Sequence, residues 1–290
     1  MIPQEIADSL VNYFSRTRNV SINILKVSSL SGGCINHVHR LETNLGDFCI
    51  KYNLRDRFPE MFTCEADGLA LLKSAGEIHV PGVICTGEAG SFDYILLEFI
   101  EQGRKRSSFM QDFGRFLARL HRHTAGYFGH ELDNYMGSLP QSNKKHTTWN
   151  SFFVEERLKR QVSLANAYFS SADFSAFERL YARLDELLPA EPPALLHGDL
   201  WGGNYMVAHD GNACLIDPAV YYGHREVDIA MTMLFGGFDE NFYASYREEY
   251  PLEKGWRKRM DIFKLYPLLI HLNLFGSGYL GSVTGIIRRF

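Results

Sequence analysis

The segment LLHGDLWGGNYMV at 195–207 sets His197, Asp199 and Asn204 in an H-x-D-x-x-x-x-N spacing. A second aspartate, Asp217, follows the short apolar run CLI in CLIDPA at 214–219. A carboxylate such as Asp199 can accept the proton of an attacking hydroxyl. Asn204 and Asp217 offer the hard oxygen ligands that Mg²⁺ prefers. Together these types suit phosphoryl transfer from Mg·ATP to an alcohol, with Asp199 as base and Asn204 and Asp217 as metal ligands. An isolated H-x-D is a common turn; Asn204 and Asp217 at these separations give it chemical meaning.

Such a site needs partners that hold the nucleotide, and the first hundred residues offer them in the expected order. The turn SGGCIN at 31–36 contains Gly32 and Gly33, which let backbone amides approach phosphates closely. Lys51 lies on the next β-rich run, FCIKYN, and Glu65 follows on a helical segment, so the two can form an ion pair aimed at the α- and β-phosphates. The run LLEFIE at 96–101 falls where a hinge between lobes belongs, and backbone groups around Glu98, Phe99 and Ile100 would meet adenine. Only ten residues, PAVYYGHREV, separate Asp217 from Asp228. That leaves no room for a peptide-docking segment, so the acceptor is expected to be small. Asp228 opens the apolar run DIAMTMLF and is placed to brace the loop carrying Asp199.

The elements that must position these residues divide into two kinds. Ser21–Leu30, HVHRLET and FCIKY read as strands with a turn at 44–47, and GVICTGE with FDYILLEFI as a second pair. Between the pairs, Glu65–Ala75 has the apolar spacing of a helix that stops at Gly76. From Phe109 the pattern is helical, over 109–123, 149–168, 174–188 and 261–275. The expected fold is therefore α+β: an antiparallel-sheet lobe with one main helix over 1–100, binding nucleotide, and a mainly helical catalytic and substrate-binding lobe over 101–290.

Composition excludes several alternatives. Lys+Arg is 30 against Asp+Glu 34, a net charge of −4, which lacks the basic excess that nonspecific nucleic-acid binding requires. The most apolar stretch, 266–280, falls short of the ~20 residues that cross a bilayer. The amino-terminal sequence has no apolar core of a secretory signal. Five widely spaced cysteines with no C-x-x-C argue against a disulfide framework or a zinc site and fit a reduced, cytoplasmic setting. His37 with His39, and His121 with His123, have no evident third ligand and read as ordinary surface residues; Arg104–Arg106 reads as a solvated turn.

GDLWGGN, IDPAVYYGHREVDIAMT, SGGCIN with GDFCIKYN, W-x-x-FF-x-x-x-RL at 149–158 and YPLLIHLNLFGSGYLG closely resemble the fructosamine/ketosamine kinase family, of the aminoglycoside-phosphotransferase branch of the protein-kinase-like fold. The resemblance runs from about Ile24 to Arg289. It implies a bilobal kinase that uses ATP and Mg²⁺ to phosphorylate a ketosamine sugar hydroxyl, typically at O3. It also implies the roles given above for Asp199, Asn204, Asp217, Lys51 and Glu65. Cys34 departs from the pattern, standing where serine is common; its oxidation would impair nucleotide binding. A sugar carrying a protonatable amine wants aromatic faces and carboxylates, and Trp201, Tyr221 and Glu226 lead the candidates, with Tyr222, His224 and Arg225 beside them and Trp149 behind. The acceptor would be a free or protein-bound ketosamine, the protein a monomer or weak dimer, with no nucleic-acid or membrane partner. Two rival readings stay open: a kinase of another small alcohol or amino sugar, and a nucleotide-binding pseudokinase scaffold.

Overall fold

The computed structural model describes residues 1–30 and 35–290, so Gly32, Gly33 and Cys34 lie outside the described residues. In chain order the longer elements are α1 (Gln4–Arg18), β1 (Ile24–Ser29), β2 (His37–Thr43), β3 (Gly46–Leu54), α2 (Met61–Ala75), β4 (Val83–Ala89), β5 (Phe92–Glu98) and α3 (Phe109–Leu120). Then come the short strands β6 (Asn134–Met136) and β7 (Leu139–Gln141), followed by α4 (Trp149–Phe152), α5 (Lys159–Leu164) and α6 (Ser171–Leu187). Next are β8 (Ala194–Leu196), β9 (Tyr205–Val207), β10 (Ala213–Leu215) and β11 (Tyr221–Gly223), and last α7 (Glu226–Leu234), α8 (Glu240–Glu249), α9 (Trp256–Phe275) and α10 (Leu280–Ile287). The chain separates into two compact units, Met1–Ser107 with Met206–Ile216, and Ser108–Tyr205 with Asp217–Phe290. Sequence patterning put the division near residue 100; the segment 206–216, which it assigned to the later part, packs with the first unit.

In the first unit, β1 to β5 form one antiparallel sheet in the order β1-β2-β3-β5-β4. Side chains on a strand alternate between faces. Ile50 and Tyr52 of β3 join Leu41, Tyr94 and Leu96 on one face, and the stripe Ile6, Leu10 and Phe14 of α1 covers them. Lys51 and Asn53, alternating with them on β3, therefore point to the opposite face, where Asn53 hydrogen-bonds Met61 at the start of α2. This unit carries two fifteen-residue helices, not the single main one expected. His37 and His39 flank the Tyr52 ring in near-parallel stacks, with centroids 5.0 and 5.7 Å away.

In the second unit, α3 packs against α8 with Gly114 touching the backbone, since a Cβ there would lie 2.3 Å from the Phe242 carbonyl. The helix expected over 149–168 is interrupted. After α4 the backbone widens into a π-helical stretch, Phe153–Leu158, before α5, and the whole places Trp149, Phe152, Phe153, Arg157 and Leu158 in the core. A capping box between Ser170 and Asp173 starts α6. Among the described residues no helix is long and apolar enough to cross a membrane, and Cys49, Cys64, Cys85 and Cys214 form no disulfide.

Candidate active site

In the first unit, Lys51 and Glu65 meet with Nζ and Oε1 2.5 Å apart, both nearly buried. The alternation of β3 turns Lys51 toward α2, and Glu65 sits on the turn of α2 that faces it. The end of β5 is anchored at Glu98, whose N–H donates to the Gly82 carbonyl (2.8 Å) and whose carboxylate accepts from the Gly82 N–H (3.0 Å). The Arg40 guanidinium lies over the Phe99 ring, 4.6 Å from its centroid. Ile100 is buried with Ala208, Cys214 and Met206 of the 206–216 hairpin. Along that hairpin the backbone pairs Gln102 with Ala208, and the Gly103 N–H donates to Val207 (2.9 Å). Sequence reasoning missed the hairpin's part in supporting 98–103; its only signal was an apolar residue on either side of the Asp210–Gly211 turn.

In the second unit, β8 pairs with β11, and the loops leaving them bring 197–204 and 217–220 together. Gly198 is the pivot. It holds a left-handed φ of 85°, and a Cβ would lie 2.0 Å from the Ala219 carbonyl, so no other residue fits there without displacing the backbone. Asp228, fully buried in the first turn of α7, accepts hydrogen bonds from the N–H of His197 (2.8 Å) and of Gly198 (2.9 Å). His121 approaches the same carboxylate with Nε2 at 3.2 Å, while its Nδ1 meets the Tyr246 hydroxyl at 2.8 Å. Asp228 thus braces the loop through its amides, a buried carboxylate held by three partners.

On that loop, Asn204 Nδ2 donates to the Asp199 carbonyl (2.8 Å) and to its carboxylate (2.9 Å). Burial pushes the Asp199 carboxyl up to about 8; Asn204 pulls the other way, and the charges of Asp217 and Asp228 add to the rise. Asp217 has a left-handed φ of 53° although it is neither glycine nor asparagine and precedes Pro218, a conformation that costs of order 1–3 kcal/mol and collects at functional sites. The donor set fits Mg²⁺ on these observations. Asn204 spends its Nδ2 donors on Asp199, which leaves its Oδ1 as the acceptor available to a cation, and the Asp217 charge acts on the Asp199 carboxyl. Among the described residues no three His, Cys, Asp or Glu side chains form a metal cage.

The substrate candidates separate. Trp201 is 39% exposed, with its indole folded over Gly203. Tyr221 and Glu226, expected in the pocket, do not reach it. Tyr221 is 1% exposed beneath the Arg157 guanidinium (4.1 Å), and Glu226 is fully buried in an ion pair with Arg259. Trp149 is core, stacked on Phe153 at 5.0 Å. The Arg157 neighbourhood was not foreseen. That buried cation donates to Asn143 (2.7 Å), and Asn143, Asn134, Gln141 and Tyr266 continue a hydrogen-bonded net. The net ends on the carbonyls of Ala219 (3.3 Å) and Val220 (2.9 Å), just past Asp217. The W-x-x-FF-x-x-x-RL segment is therefore a buried plug under the 217–220 loop.

Comparison with known proteins places the chain in a family. The fructosamine kinase family pattern matches residues 6–290. The chloroplastic protein-ribulosamine 3-kinase of Arabidopsis thaliana is 38% identical over 284 residues, spanning 94% of this chain and 85% of that one. A crystal structure from Haemophilus somnus, assigned as a fructosamine-3-kinase, superposes with a TM-score of 0.88 at 28% identity, covering 99% of this chain and 98% of the other. The macrolide 2'-phosphotransferase of Brachybacterium faecium shares the fold at a TM-score of 0.64 and 14% identity, over 97% of this chain and 98% of the other. The fold is thus the α+β protein-kinase-like fold of small-molecule phosphotransferases, and this chain belongs to the fructosamine kinase family.

Proposed function

We propose that the protein is an ATP-dependent kinase that phosphorylates a sugar hydroxyl of a ketosamine, of the fructosamine or ribulosamine type, at O3. The observation that carries the reading is the loop 197–204, braced by Asp228 and holding Asp199 against Asn204. Asp199 would take the proton of the attacking hydroxyl. Asn204 and Asp217 would hold Mg²⁺, which supplies charge neutralisation at the phosphates when bound. Lys51, fixed by Glu65, would contact the α- and β-phosphates, and the 31–36 turn with Gly32 and Gly33 would cover them. Since the Glu98 N–H is already bonded to Gly82, adenine would meet the backbone of Phe99 and Ile100. The unit containing 1–107 is then the nucleotide-binding part and the remainder the catalytic and acceptor-binding part. Membership of the fructosamine kinase family and likeness to a relative named protein-ribulosamine 3-kinase support the ketosamine as acceptor. Among the described residues Cys49, Cys64, Cys85 and Cys214 form no disulfide, which suits a cytoplasmic setting; the protein would act as a monomer or weak dimer.

The test is a phosphorylation assay with γ-labelled ATP against ribulosyl- and fructosyl-lysine beside a panel of amino sugars and amino alcohols. Product identification should place phosphate on O3 of the ketosamine. Turnover confined to another alcohol, or no turnover with any acceptor while nucleotide still binds, would replace the reading with one of its two rivals.

A further inference from the structure

A chain of aromatic rings leads away from the catalytic loop in the second unit. Trp201 contacts Phe235 edge-on at 6.0 Å; Phe235 meets His271 at 4.7 Å; His271 meets Tyr279 at 5.1 Å and Phe275 at 5.3 Å. Phe235 is 39% and Phe275 60% exposed. Single exposed rings are ordinary, whereas contiguous ones mark contact surfaces. The start of the track is fixed by backbone packing. A Cβ on Gly202 would lie 3.1 Å from the Gly236 carbonyl, and one on Gly237 would lie 2.8 Å from the Gly202 Cα. No side chain therefore separates the 201–203 turn from Phe235. Midway, His271 donates from Nδ1 to the Pro267 carbonyl (2.7 Å), and burial lowers its pKa from the ordinary value, so the ring stays an uncharged surface.

The segments that build the track carry almost no charge. Residues 200–208, 229–238 and 265–287 contain no Asp, Glu, Lys or Arg. A ligand whose hydroxyl sits at Asp199 and whose next portion crosses Trp201 would run onto apolar faces from segments that carry no charge of their own. A carboxylate or ammonium laid there would lose water without an ionic partner from these segments, whereas a methylene chain would gain.

We propose that Phe235, His271, Phe275 and Tyr279 form a second subsite for the amine-side chain of the acceptor, selecting ketosamines whose amine substituent is an uncharged, extended aliphatic chain. A lysine side chain within a peptide has this character near the sugar; a short amino acid, with its carboxylate close to the modified nitrogen, does not. The inference rests on the ketosamine reading above. It is tested with one sugar on three amines: methylamine, hexylamine and 6-aminohexanoate. The hexylamine adduct should exceed the methylamine adduct in kcat/KM by roughly tenfold or more, chiefly through KM, and 6-aminohexanoate should lose most of that gain. In Phe275→Ala and Phe235→Ala the hexyl-to-methyl ratio should fall toward one. A ratio near one in the unaltered protein, or a high ratio that both variants keep, overturns the subsite while leaving the reaction in place. Turnover of none of the three adducts sinks the ketosamine reading itself, and the subsite falls with it.

Discussion

At the scale of single residues, Asp199 and Asp228 are two buried carboxylates with separate tasks. Asp199→Asn should lower kcat by roughly 10²–10⁴-fold, the usual worth of a positioned base, while ATP affinity measured by calorimetry stays near that of the unaltered protein. Asp228→Asn sets an amide where two backbone N–H groups now find acceptors. A buried donor left unsatisfied costs about 1–3 kcal/mol, so this variant should unfold at lower urea and lose kcat with little change in KM. A full loss of nucleotide binding in either would contradict the assigned roles. Asp199, Asn204 and Asp217 stand out as candidates because the motif is a spacing along the chain, and the structure sets Asn204 against Asp199. Tyr221 and Glu226 were misread because nearness in sequence does not say which way a side chain turns. On the three-residue strand β11, Tyr221 faces the core and Arg157, and at the start of α7 Glu226 turns inward to Arg259.

At the scale of elements, hairpins and helix stops were readable where a turn or glycine punctuates them, as at 44–47 and Gly76. The helix α1 shows the stripe Ile6, Leu10, Phe14 in its sequence, yet no side-chain cap marks its start after Pro3. The π-helical break in 149–168 leaves no such mark, since it is dictated by fitting Arg157 among Phe152, Tyr221 and Tyr266. The β11–α7 junction also makes a prediction about acid. Burial pushes His224 down to about 4 from an ordinary 6.5, against a weaker upward pull from Glu191. The unfolded chain therefore binds a proton that the folded one refuses. Stability is full above about pH 6.5 and declines as pH falls toward 4, by about 3 kcal/mol at the end. Urea midpoints measured from pH 7 to 4 should show that decline, and His224→Phe should flatten it; an unchanged slope in the variant would assign the acid sensitivity elsewhere.

At the scale of the whole molecule, the near-balanced charge of −4 acquires a local meaning. Lys51 with Glu65 and the acidic loop of Asp199 and Asp217 lie on separate units, so each half of the proposed chemistry carries its own charge pattern. Two parts were visible as a change from strand to helix patterning. The return of 206–216 to the first unit was not, because a three-residue strand pair looks like any loop when its partner lies a hundred residues earlier. A fragment of residues 1–107 alone should bind hydrophobic dye and be cleaved rapidly by protease near Ile100. Joining 206–216 to it through a flexible linker should reduce both. Equal behaviour of the two fragments would show that the hairpin adds nothing.

The hairpin also sets a schedule for synthesis. The sheet β1 to β5 leaves the ribosome early, but the strands that cover Ile100 arrive only with residue 216. At about 5–20 residues per second the intervening stretch takes roughly 5–20 s. For that interval the apolar end of the nascent first unit is bare, and a chaperone that holds it there would act on every copy the cell makes.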